Sequence, residues 1–215
     1  MKDISLVVFD MDGTIVQYPE GSFQSSWDAV GFAAGKKKEW EELLNYYYPR
    51  QDLYEEWFNQ NLKCLKGTSL DSVTSQIFPP PYTPGFPEFC TLLKQKDLPA
   101  GILSSGIDLV ADRILEEQNL NFALTNIVHI KDGYFSGTGE HVVPLWKKGE
   151  LLQEIIASRH LDPQNVAYFG DNENDLPCWE LVGLKIGISL KKPELYSKVD
   201  YHFPDFQGAI ELFRG

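Results

Sequence analysis

The sequence predicts an open parallel α/β sheet with helices on both faces, interrupted by an inserted helical cap. Three observations carry this. Ile4 to Phe9 is a run of mostly apolar, β-branched and aromatic residues, the pattern of a strand buried on both faces of a parallel sheet. Two more short apolar runs, Ala100 to Leu103 and Val166 to Phe169, end like the first in small or acidic residues. Helix-like stretches, Leu109 to Glu117, Gly149 to Arg159 and Asp175 to Val182, alternate with these runs, and such alternation specifies crossover helices over a parallel sheet.

In chain order, the first strand stops at Asp10-Met11-Asp12-Gly13-Thr14. Residues 18–81 then break the alternation, with Trp27, Trp40, Tyr46, Tyr47, Tyr48, Tyr54, Trp57 and Phe58 set among charged residues. This composition predicts an aromatic-rich helical module, divided at Gly67-Thr68-Ser69, where Ser69 is placed to cap a new helix. Pro79-Pro80-Pro81 and Pro84-Gly85 cannot continue a helix and read as a stiff return. The catalytic core is therefore expected over 1–17 and 82–215, with 18–81 inserted as a cap. Asn126 to Ile130 and Leu184 to Ile188 are further candidate strands. Lys131-Asp132-Gly133-Tyr134 predicts a hairpin-like turn, and Tyr134-Phe135 with His141 to Val143 are read as the arms of a small β excursion.

Composition narrows the function. The formal net charge of −12 repels nucleic-acid backbones at long range, and the one tight basic cluster, Lys36 to Lys38, is followed at once by Glu39, Glu41 and Glu42. Three cysteines, Cys64, Cys90 and Cys178, are odd in number and lack zinc-ligand spacing, which fits free thiols. No stretch approaches the roughly 20 apolar residues that span a bilayer. The expectation is a cytoplasmic protein that binds neither nucleic acid nor membrane.

The chemistry lies where the strands end, because open parallel sheets bind ligands beyond the carboxyl ends of their strands. Two carboxylates at the tip of a buried strand, Asp10 and Asp12, are costly unless compensated, and a magnesium ion compensates such a set of hard oxygen ligands. One carboxylate can then attack phosphorus while the other exchanges a proton with the leaving group. Ser104, Ser105 and Gly106 supply a hydroxyl and backbone N–H groups at a strand-to-helix turn, a phosphate cradle. Lys147 and Lys148 stand at a helix start, where the helix dipole disfavours a cation; one of them reaching into the site to meet phosphate explains the placement. Gly170-Asp171-Asn172-Glu173-Asn174-Asp175 crowds acids and amides onto a third strand tip, with Asp171 placed to complete a metal shell and Asn174 and Asp175 to orient the lysine and phosphate. The plainer reading of that run is a polar turn with Asn174 as helix cap.

The ordered set Asp10-Met11-Asp12-Gly13-Thr14, Ser104, Lys148 and Gly170-Asp171-x-x-Asn174-Asp175 resembles the haloacid dehalogenase superfamily, in particular its phosphoserine-phosphatase-like branch. The resemblance implies a Rossmann-like core, a helical cap inserted after the first strand, and catalysis between them. It implies Asp10 as nucleophile and Asp12 as general acid and then base. Mg2+ would be held by the Asp10 carboxylate, the Asp12 backbone carbonyl and Asp171, with phosphoryl binding by Ser104, Lys148 and the Ser105-Gly106 amides and support from Asn174 and Asp175. It also suggests Glu20 and Arg50 as counterparts of the substrate-binding acid and arginine. The expected activity is hydrolysis of a small phosphorylated metabolite, phosphoserine among the options. Transfer of the same aspartyl-phosphate to a second metabolite, or non-catalytic sensing of a phosphorylated ligand, are the alternatives.

Overall fold

The computed structural model describes residues 3–18 and 25–215. Its sheet has seven strands: β1 (Leu6–Phe9), β2 (Ala100–Ile107), β3 (Phe122–Lys131), β4 (Tyr134–Glu140), β5 (Val166–Gly170), β6 (Leu184–Ile188) and β7 (Tyr201–Phe203). They lie in the order β4-β3-β2-β1-β5-β6-β7. All neighbours pair in parallel except β3 and β4, which form an antiparallel hairpin. The architecture is the Rossmann-like α/β sheet expected, with the first strand central.

Pleating explains the apolar run. Along β1, Val7 and Phe9 enter one hydrophobic cluster and Leu6 and Val8 the other, so every residue needs an apolar partner. The first face is covered by α5 (Phe86–Gln95), α6 (Asp108–Gln118) and α9 (Phe206–Arg214), the second by α7 (Lys148–Ser158) and α8 (Leu176–Leu181). Phe9 is the centre of a ring cluster, with Phe86 at 5.4 Å, Phe89 at 6.1 Å, Phe169 at 5.0 Å and Phe206 at 6.0 Å between centroids. Phe9→Ala is expected to cost about 3–5 kcal/mol, read as a lower midpoint in denaturant titration.

Between β1 and α5 run four helices outside these layers: α1 (Ser26–Ala33), α2 (Lys37–Tyr47), α3 (Tyr54–Leu65) and α4 (Leu70–Ile77). The chain divides at Gly67-Thr68-Ser69 as expected, and the Ser69 side chain accepts from the Ser72 N–H at 3.4 Å. This segment touches the sheet at the β3–β4 hairpin through Gly67 N–H to Phe135 O and Leu70 N–H to Gly133 O.

Two local readings need correction. The strand through Ala100 does not stop at Leu103; β2 continues through Ser104, Ser105 and Gly106 to Ile107. In that stretch its register against β3 slips, Leu103 facing Leu124 and Ile107 facing Asn126, so these residues form a bulge and not a loop. The hairpin turns at Asp132 and Gly133, both at positive φ (52° and 81°), as a type I′ turn requires. Its far arm, however, is Tyr134–Glu140 alone. His141 to Val143 leave the sheet because the Asn126 side chain holds them: its Oδ1 accepts the Val142 and Val143 N–H groups, each at 2.9 Å. Among the described residues no helix is long and apolar enough to cross a membrane, and Cys64, Cys90 and Cys178 are free thiols.

Candidate active site

The ends of β1, β2 and β5 bring the predicted polar residues together. Lys148, the first residue of α7, is fully buried, and its Nζ donates to Asp10 Oδ1 at 2.7 Å and to Asp175 Oδ1 at 2.6 Å. Lys147 is exposed just before the helix. Burial alone would push the Lys148 amine down, but the charges of Asp10 and Asp175 outweigh it and hold it above the ordinary lysine value. Burial is the main cause that raises Asp10, with Lys148 opposing it.

Asp175 is fully committed. Besides Lys148, its Oδ1 accepts from the Tyr168 hydroxyl at 2.8 Å, and its Oδ2 accepts the N–H groups of Asp171 and Asn172 at 3.0 and 3.2 Å. It orients the lysine and closes the turn after β5. The cap of that turn is Asn172, whose Oδ1 accepts the Glu173 N–H, and not Asn174 as the sequence suggested. Asn174 lies half-buried on the same turn, and the carboxylates bonded to Lys148 are those of Asp10 and Asp175.

Asp12 is held differently. The Ser26 N–H donates to its Oδ1 at 2.8 Å and the Ser26 hydroxyl to its Oδ2 at 2.7 Å, so the first residue of α1 grips both oxygens. Burial pushes the Asp12 carboxyl up to about 7; the Ser26 bonds pull it down, and the charge of Asp10 raises it again. A carboxyl that keeps its proton near neutrality suits a general acid. Nothing in the local sequence marks Ser26 for this contact, since the insertion folds it back over the β1 end.

The bulge in β2 supplies the third wall. Ser104 Oγ accepts the Gly106 N–H at 3.2 Å, and the buried Ser105 Oγ and Thr14 Oγ1 make no hydrogen bond. A Cβ on Gly106 would lie 2.3 Å from Met11 Cε and 2.8 Å from Asp12 Oδ2, so only glycine brings this backbone against the acid. Gly13 does the same across the site, at φ +88°, where a Cβ would meet Asp171 Oδ2 at 2.3 Å.

Asp10, Asp171 and Asp175 offer ligand atoms all within 4.8 Å of one another. Burial, with Asp10 and Asp175 adding to it, holds the Asp171 carboxyl well above its usual range. Three buried carboxylates against one buried ammonium leave an excess of two negative charges, which a divalent cation matches. Because Asp175 already uses both oxygens, Asp10 and Asp171 are the carboxylates fitted to hold it. Lys191, unforeseen in the sequence, stands half-exposed with Nζ 3.6 Å from Asp171 Oδ2.

The two candidate substrate residues are not brought into this group. Glu20 lies outside the described residues. Arg50 is exposed, lies over the Tyr46 ring at 4.3 Å and donates to the Tyr46 carbonyl, satisfied by its own neighbours. The sequence signals missed Tyr168, Ser26 and Asn126; only Tyr168 was near a visible motif, two residues before Gly170.

A parallel sheet with an acid pair at its central strand, a lysine on a later helix and an acidic turn at a third strand defines a class. Residues 7–180 match the haloacid dehalogenase-like hydrolase profile, and the chain belongs to that family. Its relatives include the phosphoserine phosphatase of Methanocaldococcus jannaschii, 26% identical over 93% of this chain and 92% of that protein. That of Campylobacter jejuni subsp. doylei is 27% identical over 88% and 89%. Among solved structures, a phosphoserine phosphatase in apo form superposes with a TM-score of 0.78 at 25% identity, covering 97% of this chain and 98% of that one. Within the family the chain falls in the phosphoserine-phosphatase-like branch and is a phosphatase.

Proposed function

We propose that this protein is a magnesium-dependent hydrolase of a small phosphomonoester, working through an aspartyl-phosphate on Asp10. The observation that carries the reading is the buried Lys148, shared between Asp10 and Asp175, beside an Asp12 whose two carboxylate oxygens are held by Ser26. A phospho-aspartyl intermediate analogue of a phosphoserine phosphatase, 25% identical with a TM-score of 0.78, supports it.

In this reading an Asp10 oxygen attacks phosphorus, the bond from phosphorus to the leaving oxygen breaks, and Asp12 gives that oxygen its proton. Water then attacks the same phosphorus, Asp12 takes the proton, and the bond to Asp10 breaks to release inorganic phosphate. Ser104, the Ser105-Gly106 backbone and Lys148 hold the phosphoryl oxygens, while Asp175 and Asn174 support the lysine and the turn. Phosphoryl transfer asks chiefly for such positioning and charge neutralisation. Asp10, Asp171 and the Asp12 carbonyl would hold Mg2+, which when bound neutralises charge on the phosphoryl oxygens. Residues 18–81 serve as the cap and 1–17 with 82–215 as the core, and the free thiols fit a cytoplasmic location.

The test is phosphate release from a panel of phosphomonoesters, with magnesium and then with chelator. Release is expected to vanish on chelation and return with added magnesium. If no ester is turned over, a generic aryl phosphate included, the hydrolase reading fails.

A further inference from the structure

The insertion meets the β2 bulge with a wall of rings and unpaired polar atoms. Tyr54, Trp57, Phe58 and Asn61 are spaced i, i+3, i+4 and i+7 along α3, which puts them on one helix face. Phe58 packs 5.6 Å from Trp27 and 5.2 Å from His141, and Tyr54 lies 5.2 Å from His141. Two bonds tie this wall to the phosphate cradle. The Trp27 Nε1–H donates to the Ser105 carbonyl at 3.1 Å. Asn126 donates to the same carbonyl at 2.8 Å while gripping Val142 and Val143, next to His141. The Tyr54 hydroxyl, raised mainly by burial, also feels the charges of Asp12 and Lys148.

Three atoms in this wall, Trp57 Nε1, Asn61 Oδ1 and His141 Nε2, are buried without a hydrogen bond. Asn61 as a whole is only 5% exposed. Buried polar atoms are rarely left unpaired, because each loses its bonds to water and gains none. A donor, an acceptor and an imidazole nitrogen together mark a place for a ligand that carries both hydrogen-bonding types.

Among the described residues, no lysine or arginine is among those of this wall. Arg50 is engaged with Tyr46, Lys148 is bonded to Asp10 and Asp175, and residues 19–24 contain no lysine or arginine. An amino-acid leaving group brings a carboxylate beside its own ammonium, and both would be desolvated among rings and close to three aspartates, with no lysine or arginine among the described wall residues to pair with the carboxylate.

We propose that Trp27, Tyr54, Phe58 and His141, with Asn61 among them, receive an uncharged aromatic or heteroaromatic group, so that the preferred substrate is the phosphate ester of a ring-bearing alcohol and not phosphoserine. This rests on the phosphomonoesterase reading above and names its substrate class. Rings stack on the wall, an amine of the ligand donates to Asn61 Oδ1, and a ring nitrogen accepts from the His141 Nε2–H.

The experiment compares kcat/KM, with magnesium present, for phosphoserine, benzyl phosphate, aminopyridylmethyl phosphate and 4-nitrophenyl phosphate. Both ring-bearing alcohol esters are expected to exceed phosphoserine by about tenfold or more, with the aminopyridyl ester ahead of benzyl phosphate. Asn61→Leu is expected to remove that lead, lowering the aminopyridyl ester about tenfold relative to benzyl phosphate. Phosphoserine turned over as well as the ring esters overturns the inference and leaves the hydrolase standing. So does a parallel loss of both ring esters in Asn61→Leu. Release from none of the four, 4-nitrophenyl phosphate included, removes the hydrolase reading and the inference with it.

Discussion

Asp10→Asn is expected to lower phosphate release by about four orders of magnitude or more, with no loss of thermal stability. An amide oxygen is no nucleophile toward phosphorus, so the covalent route closes. The shape is kept, and the Asn carbonyl can still accept from the Lys148 amine that now bonds Asp10 Oδ1. Burial penalises the ionised Asp10 carboxyl, so a neutral amide there removes a desolvation cost. Phosphate-release kinetics and a thermal melt on the same preparation check both halves. Retained turnover would exclude Asp10 as the nucleophile, and a large fall in melting temperature would make its role structural.

Lys148→Met should damage both rate and fold. The side chain is fully buried and bonded to two carboxylates that are themselves buried. Removing it strands Asp10 and Asp175, a change that costs about 3–5 kcal/mol in comparable buried pairs. In the proposed mechanism the ammonium binds the phosphoryl oxygens, so its loss is expected to slow turnover by about a hundredfold to a thousandfold. Lys148→Arg should not restore activity, because a planar guanidinium does not fit where a compact ammonium sits at 2.6 and 2.7 Å from two carboxylate oxygens. Denaturant titration and kcat measured together decide the matter. A variant that is less stable yet turns over at the parent rate would show that the lysine only balances charge within the fold.

What could be read from the chain follows from how each element signals itself. Central parallel strands need apolar residues at every position, so β1 and β5 stand out as continuous runs and carry Asp10 and Asp171 with them. The end of β2 was hidden because Ser104, Ser105 and Gly106 look like a loop; the strand persists there only through pairing across a bulge. The far arm of the hairpin was hidden by Gly137 and Gly139 within β4, which weaken the alternation that marks a strand. β7 is three residues long, too short for a periodic signal. Contacts made by folding the insertion back over the sheet, such as Ser26 on Asp12, depend on distances that no local pattern encodes. Arg50 misled for the opposite reason: its residue type suited an anionic substrate, but Tyr46, four residues earlier, already satisfies it.

The grip of Ser26 on both oxygens of Asp12 makes that carboxylate an interlock between the sheet and the helices of the insertion. The acid belongs to the strand that also carries the nucleophile, while its clamp belongs to the helices above. Any swing of α1 wide enough to break those two bonds unclamps the acid at the same moment. Exposure to water would remove the burial that raises the Asp12 carboxyl and so ease loss of its proton, while losing the Ser26 bonds would act the other way. A ligand that held α1 away from the β1 end would leave the Asp12 carboxylate without either of its Ser26 bonds.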